Sequence, residues 1–135
     1  MPKIGTSRRV LIDVAGETVT FICRHPSAQE LSRFLNARFI HKRGKTETNL
    51  SGSRSIFMDQ ITTDLEGGTF EAADGTEQPI DASYQLTEAD KTKWTGILGV
   101  KVSSFLDLIP MSWKSSAAQQ FEDSANVPDE GPEKN

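Results

Sequence analysis

Cysteine and histidine are the side chains here with the most latent chemistry, and they are scarce. Cys23 and His25 stand two apart, and His41 is the other histidine. A zinc site draws on three or four protein ligands at set spacings, so this trio falls short of one. A cysteine nucleophile needs a base held beside it. On an extended strand, positions 23 and 25 share a face, which is as far as the spacing goes toward such a pair. Asp59, Asp64, Glu66, Glu71 and Asp74 cluster in the middle of the chain. Paired carboxylates can hold a divalent ion, but the alternating acid–glycine loop with a distal glutamate is missing. They read as solvated acids. No catalytic, metal or cofactor-binding residue emerges, which points to a non-enzymatic protein that works by presenting surfaces.

A second kind of chemistry would be electrostatic. Arg38, His41, Lys42, Arg43 and Lys45 form a basic run that resembles a nucleic-acid footprint. Against this, the chain carries a net charge of −4. A solvated helix end is the better reading, with a small nucleic-acid-binding regulator as an alternative. Residues 1–54 hold ten Lys/Arg and four Asp/Glu, whereas residues 55–135 hold five and fifteen. Opposed halves of this kind attract one another within a molecule or between copies, a pointer to self-association or a charged partner, with two solvated faces of one domain as the equal alternative.

The elements that must carry these groups follow from periodicity. Within 135 residues, 36 % of them hydrophobic, the expectation is one domain with a modest core. No apolar run approaches the roughly 18 residues of a membrane span. MPKIGTSRRV lacks the apolar region of a signal peptide, and one cysteine suits a reducing compartment, so the chain reads as cytosolic. Val10, Ile12 and Val14 alternate, as do Val19, Phe21 and Cys23, about a turn at Gly16, predicting a β-hairpin. Ser27 and Glu30 fit a capping box for a helix that carries Leu31, Phe34, Leu35 and Phe39 and stops at Gly44. Asn49, Ser51 or Ser53 can cap a second helix, beginning at Arg54, with Phe57, Met58, Ile61 and Leu65 on one side and Gly67-Gly68 as its terminator. Thr69–Ala72 and Ile80–Tyr84 read as short extended pieces about an Asp74-Gly75 turn. Thr87 opens a helix that Gly96 and Gly99 break.

Val102, Phe105, Leu106 and Ile109 are spaced as a helical stripe ended by Pro110, and Met111–Phe121 as a last helix with Trp113, Ala117 and Phe121 four apart. From Glu122 the chain is acidic and proline-bearing, predicting a flexible tail over 122–135 behind a domain over 1–121. The fold class expected is therefore α+β: an N-terminal β-hairpin packed against about four helices, with a β-grasp as the structural alternative.

The order of these pieces resembles a known family, the tail assembly chaperones of long-tailed bacteriophages and prophages. The resemblance rests on the hairpin and helix start VLIDVAGETVTFICRHPSAQEL, the helix RSIFMDQITTDLEGG, the turn ADGTEQPID and the Ile-Pro-led IPMSWKSSAAQQFE, spanning about residues 8–122. The segment Asp81–Lys101 is longer than the family pattern. What the resemblance implies is a role in the host bacterial cytoplasm, absent from the mature virion. Such a protein binds the phage tape-measure protein and recruits the major tail (tube) protein around it. An apolar groove between helices would hold a long helical partner, with Phe105, Ile109, Trp113, Ala117 and Phe121 as the candidate lining. Family members are also made in a longer, frameshifted form, and Glu133-Lys134-Asn135 is compatible with the slippery codons this requires. A virion structural protein, such as a tail-completion or connector subunit, is the other reading of the same pattern.

Overall fold

A computed structural model describes residues 5–37, 39–42, 45–48 and 50–126. Among the described residues the class is α+β: an N-terminal three-stranded antiparallel sheet and four helices. Strands β1 (Ser7–Val14) and β2 (Glu17–Arg24) form the expected hairpin, from Ser7 opposite Arg24 to Val14 opposite Glu17. Its two-residue turn has positive φ at both positions, 53° at Ala15 and 85° at Gly16. That backbone matches the right-handed twist of the strands it joins. Val10, Ile12, Val19, Phe21 and Cys23 are buried on one sheet face, as the alternation requires.

Helix α1 (Ala28–Ala37) starts where expected. The Ser27 hydroxyl accepts from the Glu30 amide at 3.1 Å, and the Glu30 carboxylate accepts from the Ser27 amide at 3.0 Å. Arg24 donates to both Glu30 oxygens at 2.7 and 2.6 Å and to the Gln60 carbonyl at 3.2 Å. The guanidinium beside it, with the Ser27 amide, holds the Glu30 carboxyl down at about 2. The helix ends at Ala37 rather than running to Gly44. Phe39 belongs instead to a small hairpin, β3 (Phe39–Lys42) with β4 (Lys45–Thr48). His41, Lys42 and Lys45 of the basic run fall in this hairpin, while Arg38, Arg43 and the expected cap Asn49 lie outside the described residues.

The central helix is the largest departure. Helix α2 runs from Leu50 to Ile61 and passes directly into strand β5 (Thr62–Glu66), which pairs antiparallel with β2. Ser51 and Ser53 are therefore inside the helix, not its caps. Leu65, read as the last residue of a helical stripe, is buried in the sheet beside Phe21. The backbone polar groups that β2 offers on its free edge favour this, and β-branched Thr62 and Thr63 suit a strand. Gly67 and Gly68 then serve a turn into β6, not a helix cap. Gly67 has φ +94°, and a Cβ there would lie 2.6 Å from the Thr18 carbonyl.

Strands β6 (Thr69–Glu71) and β7 (Glu77–Pro79) pair across the Asp74-Gly75 turn. Pro79 closes β7, and the extended piece expected over Ile80–Tyr84 is a series of bends. Helix α3 (Glu88–Leu98) has a capping box between Thr87 and Asp90, passes through Gly96, and ends at left-handed Gly99, φ 76°. The helix expected over 100–109 is reduced to one 3-10 turn, Phe105–Leu108. Here the Asp107 carboxylate accepts from the Ser103 and Ser104 amides at 2.7 and 3.2 Å, and Pro110 follows two residues later.

Helix α4 runs from Met111 to Asn126, so residues 122–126 are helical rather than tail. Val127–Asn135 lie outside the described residues. Glu122 is buried, and its carboxylate accepts from Arg54 Nε and Nη2 at 2.7 and 2.8 Å, tying α4 to α2. The core lies between the sheet and helices α2 and α4, with α1 against α2. Phe57 stacks on Phe34 with ring centres 4.2 Å apart and meets the Phe121 ring edge-on at 5.2 Å.

Candidate partner-binding groove

Where that core reaches the β6–β7 hairpin and the start of α4, apolar surface is left open. The β6–β7 hairpin, the end of α3, the 99–110 segment and the start of α4 enclose a groove of about 540 Å³, within the size range of ligand pockets. Phe70, Ile80, Leu108 and Ile109 are buried among its walls, and Trp94 and Trp113 are half-buried. Along its margin Leu98, Val100 and Met111 are 43, 59 and 54 % exposed, with Ile97 next to them at 58 %. Apolar side chains this exposed and this close together mark an interaction surface more often than chance decoration.

Local sequence explains each wall. Phe70 meets the Tyr84 and Trp94 rings edge-on at 5.6 and 6.1 Å. Trp94 Nε1 donates to the Glu71 carbonyl at 2.7 Å and Lys93 Nζ to the Ala72 carbonyl at 2.9 Å, fixing α3 to the hairpin. Asp90 is the buried anchor behind them. It accepts from the Ala73 amide at 2.7 Å, the Thr87 amide at 3.0 Å and the Tyr84 hydroxyl at 2.9 Å. Burial opposes its charge most strongly, yet these donors together hold its carboxyl below the usual range. Trp113 packs where Gly68 leaves room: a Cβ on Gly68 would stand 3.0 Å from the indole.

The charged groups that line the groove are engaged by the protein itself. Asp107 holds the two serine amides described above, and Lys114 Nζ, 6 % exposed as a residue, sits 2.7 Å from Asp59. A guest would therefore meet an apolar surface whose lining ionic groups are already engaged by the protein.

Of the five residues expected to bind a partner, Ile109 and Trp113 line this groove. Phe105 lines a neighbouring shallow depression with Tyr84 and Leu86. Ala117 and Phe121 are buried in the core between α4 and the sheet. The spacing of four along α4 thus crosses from the open surface into the sealed one. Phe70, Ile80, Trp94, Leu98 and Val100 were not in the expected set. A signal for the last two was present: apolar residues flank Gly99 with no continuing helix to bury them.

The remaining candidates resolve into structure. Cys23 is fully buried, and burial pushes its thiol up to about 11, so it is not a thiolate at neutral pH. His25 follows the end of β2, is exposed, and its Nε2 lies 2.7 Å from the Gly5 carbonyl. The central carboxylates each have a protein partner: Asp59 with Lys114, Glu66 with Arg9, Glu71 with Lys93, Asp64 with the Ala82 amide and Asp74 with Thr76. Among the described residues no group of three or more His, Cys, Asp or Glu is placed to hold a metal ion, and no helix is long and apolar enough to cross a membrane. Comparison with known protein families, curated proteins and solved structures finds no match to this chain.

Proposed function

We propose that this protein is a non-enzymatic tail assembly chaperone of a long-tailed bacteriophage or prophage. In this reading it acts in the host bacterial cytoplasm, binds apolar helical stretches of the tape-measure protein and brings major tail (tube) protein to them. The observation that carries the proposal is the open groove, with two tryptophans in its walls, an exposed apolar margin and its lining charges already engaged. An amphipathic helix presents apolar anchors at i, i+3/i+4 and i+7. A groove of this kind takes two or three such anchors while the helix body stays at the surface. A tape-measure protein is long and helical, and needs that face covered until tube subunits enclose it.

The test is co-expression with a phage tape-measure protein. The wild-type chain should hold that protein in the soluble fraction and co-purify with it. A Leu98→Asp/Met111→Lys variant, altered at two exposed margin positions, should fold normally and lose both effects. Unchanged co-purification by the variant would remove the groove from the account. Finding the chain at fixed copy number in purified particles would replace the chaperone reading with that of a virion component.

A further inference from the structure

We infer that the groove discriminates by charge and takes amphipathic helices whose apolar face is flanked by lysine or arginine. This rests on the reading that the groove receives a helix, and specifies which helix. One wall is the β6–β7 hairpin. Thr69 and Phe70 line the groove and also a second depression that continues over the hairpin to Glu71, Gly75 and Glu77. The Glu71 side chain is 66 % exposed and shares Lys93 at 3.4 Å, while Asp74 and Glu77 are exposed at the turn. Two hydrogen bonds from Thr76 keep the Asp74 carboxyl below its ordinary range, so it is ionised at neutral pH. Glu71, Asp74 and Glu77 are thus the exposed carboxylates of this wall, and the lysines of residues 69–111 are Lys91, Lys93 and Lys101, the last exposed beside Val100. Two of those lysines are committed: Lys91 lies 3.4 Å from Glu88, and Lys93 donates to the Ala72 carbonyl. Elsewhere in the lining the charges cancel in the Lys114–Asp59 pair.

A negative rim beside an apolar slot favours a guest that brings cations to that side. Such rim charges act mainly on selectivity and association rate, and weaken with salt.

The test uses three tryptophan-free synthetic helices with one shared apolar face, flanked by Lys, Gln or Glu. Binding is read by the fluorescence of Trp94 and Trp113. At low salt the Lys helix should bind about tenfold more tightly than the Glu helix. The gap should close toward 1 M salt, where the Debye length falls to about 3 Å. A Glu71→Gln/Glu77→Gln variant should narrow the gap, whereas Glu17→Lys, the same charge change at the distant β1–β2 turn, should leave it intact. Equal binding of all three helices would overturn the charge preference and leave the groove reading standing. Binding of none, in a chain that is folded and monomeric by sedimentation, would overturn both. A stable dimer that excludes the helices would assign the groove to a second copy and overturn the inference.

Discussion

Phe57 on α2 and Trp113 on α4 are both large aromatic side chains on neighbouring helices, and their fates differ. Phe57 is 1 % exposed, stacked on Phe34 and edge-on to Phe121. Trp113 stays half-exposed at the mouth of a groove. The difference lies in what stands opposite. Phe57 meets the Phe34 ring of α1 and the Phe121 ring of α4, within a core that Val10 and Ile12 of β1 and Val19 and Phe21 of β2 also join. Trp113 faces a three-residue strand, a helix end and a loop. Each is fixed in its own way: Asp90 accepts from the Ala73 amide of the hairpin, left-handed Gly99 ends α3, and Asp107 accepts from two serine amides. The groove therefore stays open because its walls are tied down behind, not because the region lacks apolar side chains.

The sharpest way to break that contrast is to empty the sealed side. Phe57→Ala removes a ring with aromatic partners on two elements and should cost about 3–5 kcal/mol, read as a lower midpoint in urea. The groove side should depend more on polar fastening. Asp90→Ala leaves the Ala73 and Thr87 amides and the Tyr84 hydroxyl without their acceptor, at about 2–4 kcal/mol. Its signature should be local. Hydrogen exchange should speed up across the β6–β7 hairpin and α3 and stay slow in β1 and β2. Uniform loss of protection would mean that the two regions unfold as one unit.

These two residues also show what the sequence could and could not reveal. The β1–β2 hairpin was legible because the buried sheet face takes Val10 and Ile12 from β1 and Val19, Phe21 and Cys23 from β2 at alternate positions. Strand β5 was not. Its pairing shifts register between Ile22 and Cys23, with Thr63 as the extra residue and its hydroxyl donating to the Ile22 carbonyl at 3.0 Å. A bulge of this kind interrupts the period of two, and Ile61 and Leu65, four apart, then mimic a helix. The groove was half legible. Ile109 and Trp113 were marked by their helical spacing, but the stripe from Val102 to Ile109 is folded as a loop about a 3-10 turn. Asp107 binds amides there that a longer helix would have engaged. Phe70 and Ile80 reach the groove only through the β6–β7 pairing, a tertiary fact that no local window contains.

A smaller effect should separate stability from binding. Leu98→Asp alters a side chain already 43 % exposed. It should move stability by no more than about 0.5 kcal/mol while lowering affinity for an apolar helix about tenfold. If Leu98→Asp instead destabilises as Phe57→Ala does, the groove is part of the core and the contrast between the two regions falls.

The smallest effect is a titration that belongs to the sealed side. Arg24, with the Ser27 amide, holds the Glu30 carboxyl at about 2 in the folded chain, below its ordinary value of 4.5. Between those values the unfolded chain binds the proton and the folded chain does not, so stability rises with pH across that window. The contribution is fully present above about 4.5 and is lost as pH falls toward 2. Because the pair sits at the surface, salt should weaken it. Glu30→Gln should therefore flatten the acid limb of the stability curve below about pH 4.5 and leave the neutral region of that curve parallel to wild type. Fraying should show first at the α1 N-terminus, where Arg24 ties Glu30 to the Gln60 carbonyl and so to the end of α2. Groove binding of a neutral helix should follow the wild-type pH dependence in this variant, since α1 contributes no wall to it. A parallel loss of groove binding in Glu30→Gln would show that the two regions are coupled through α2.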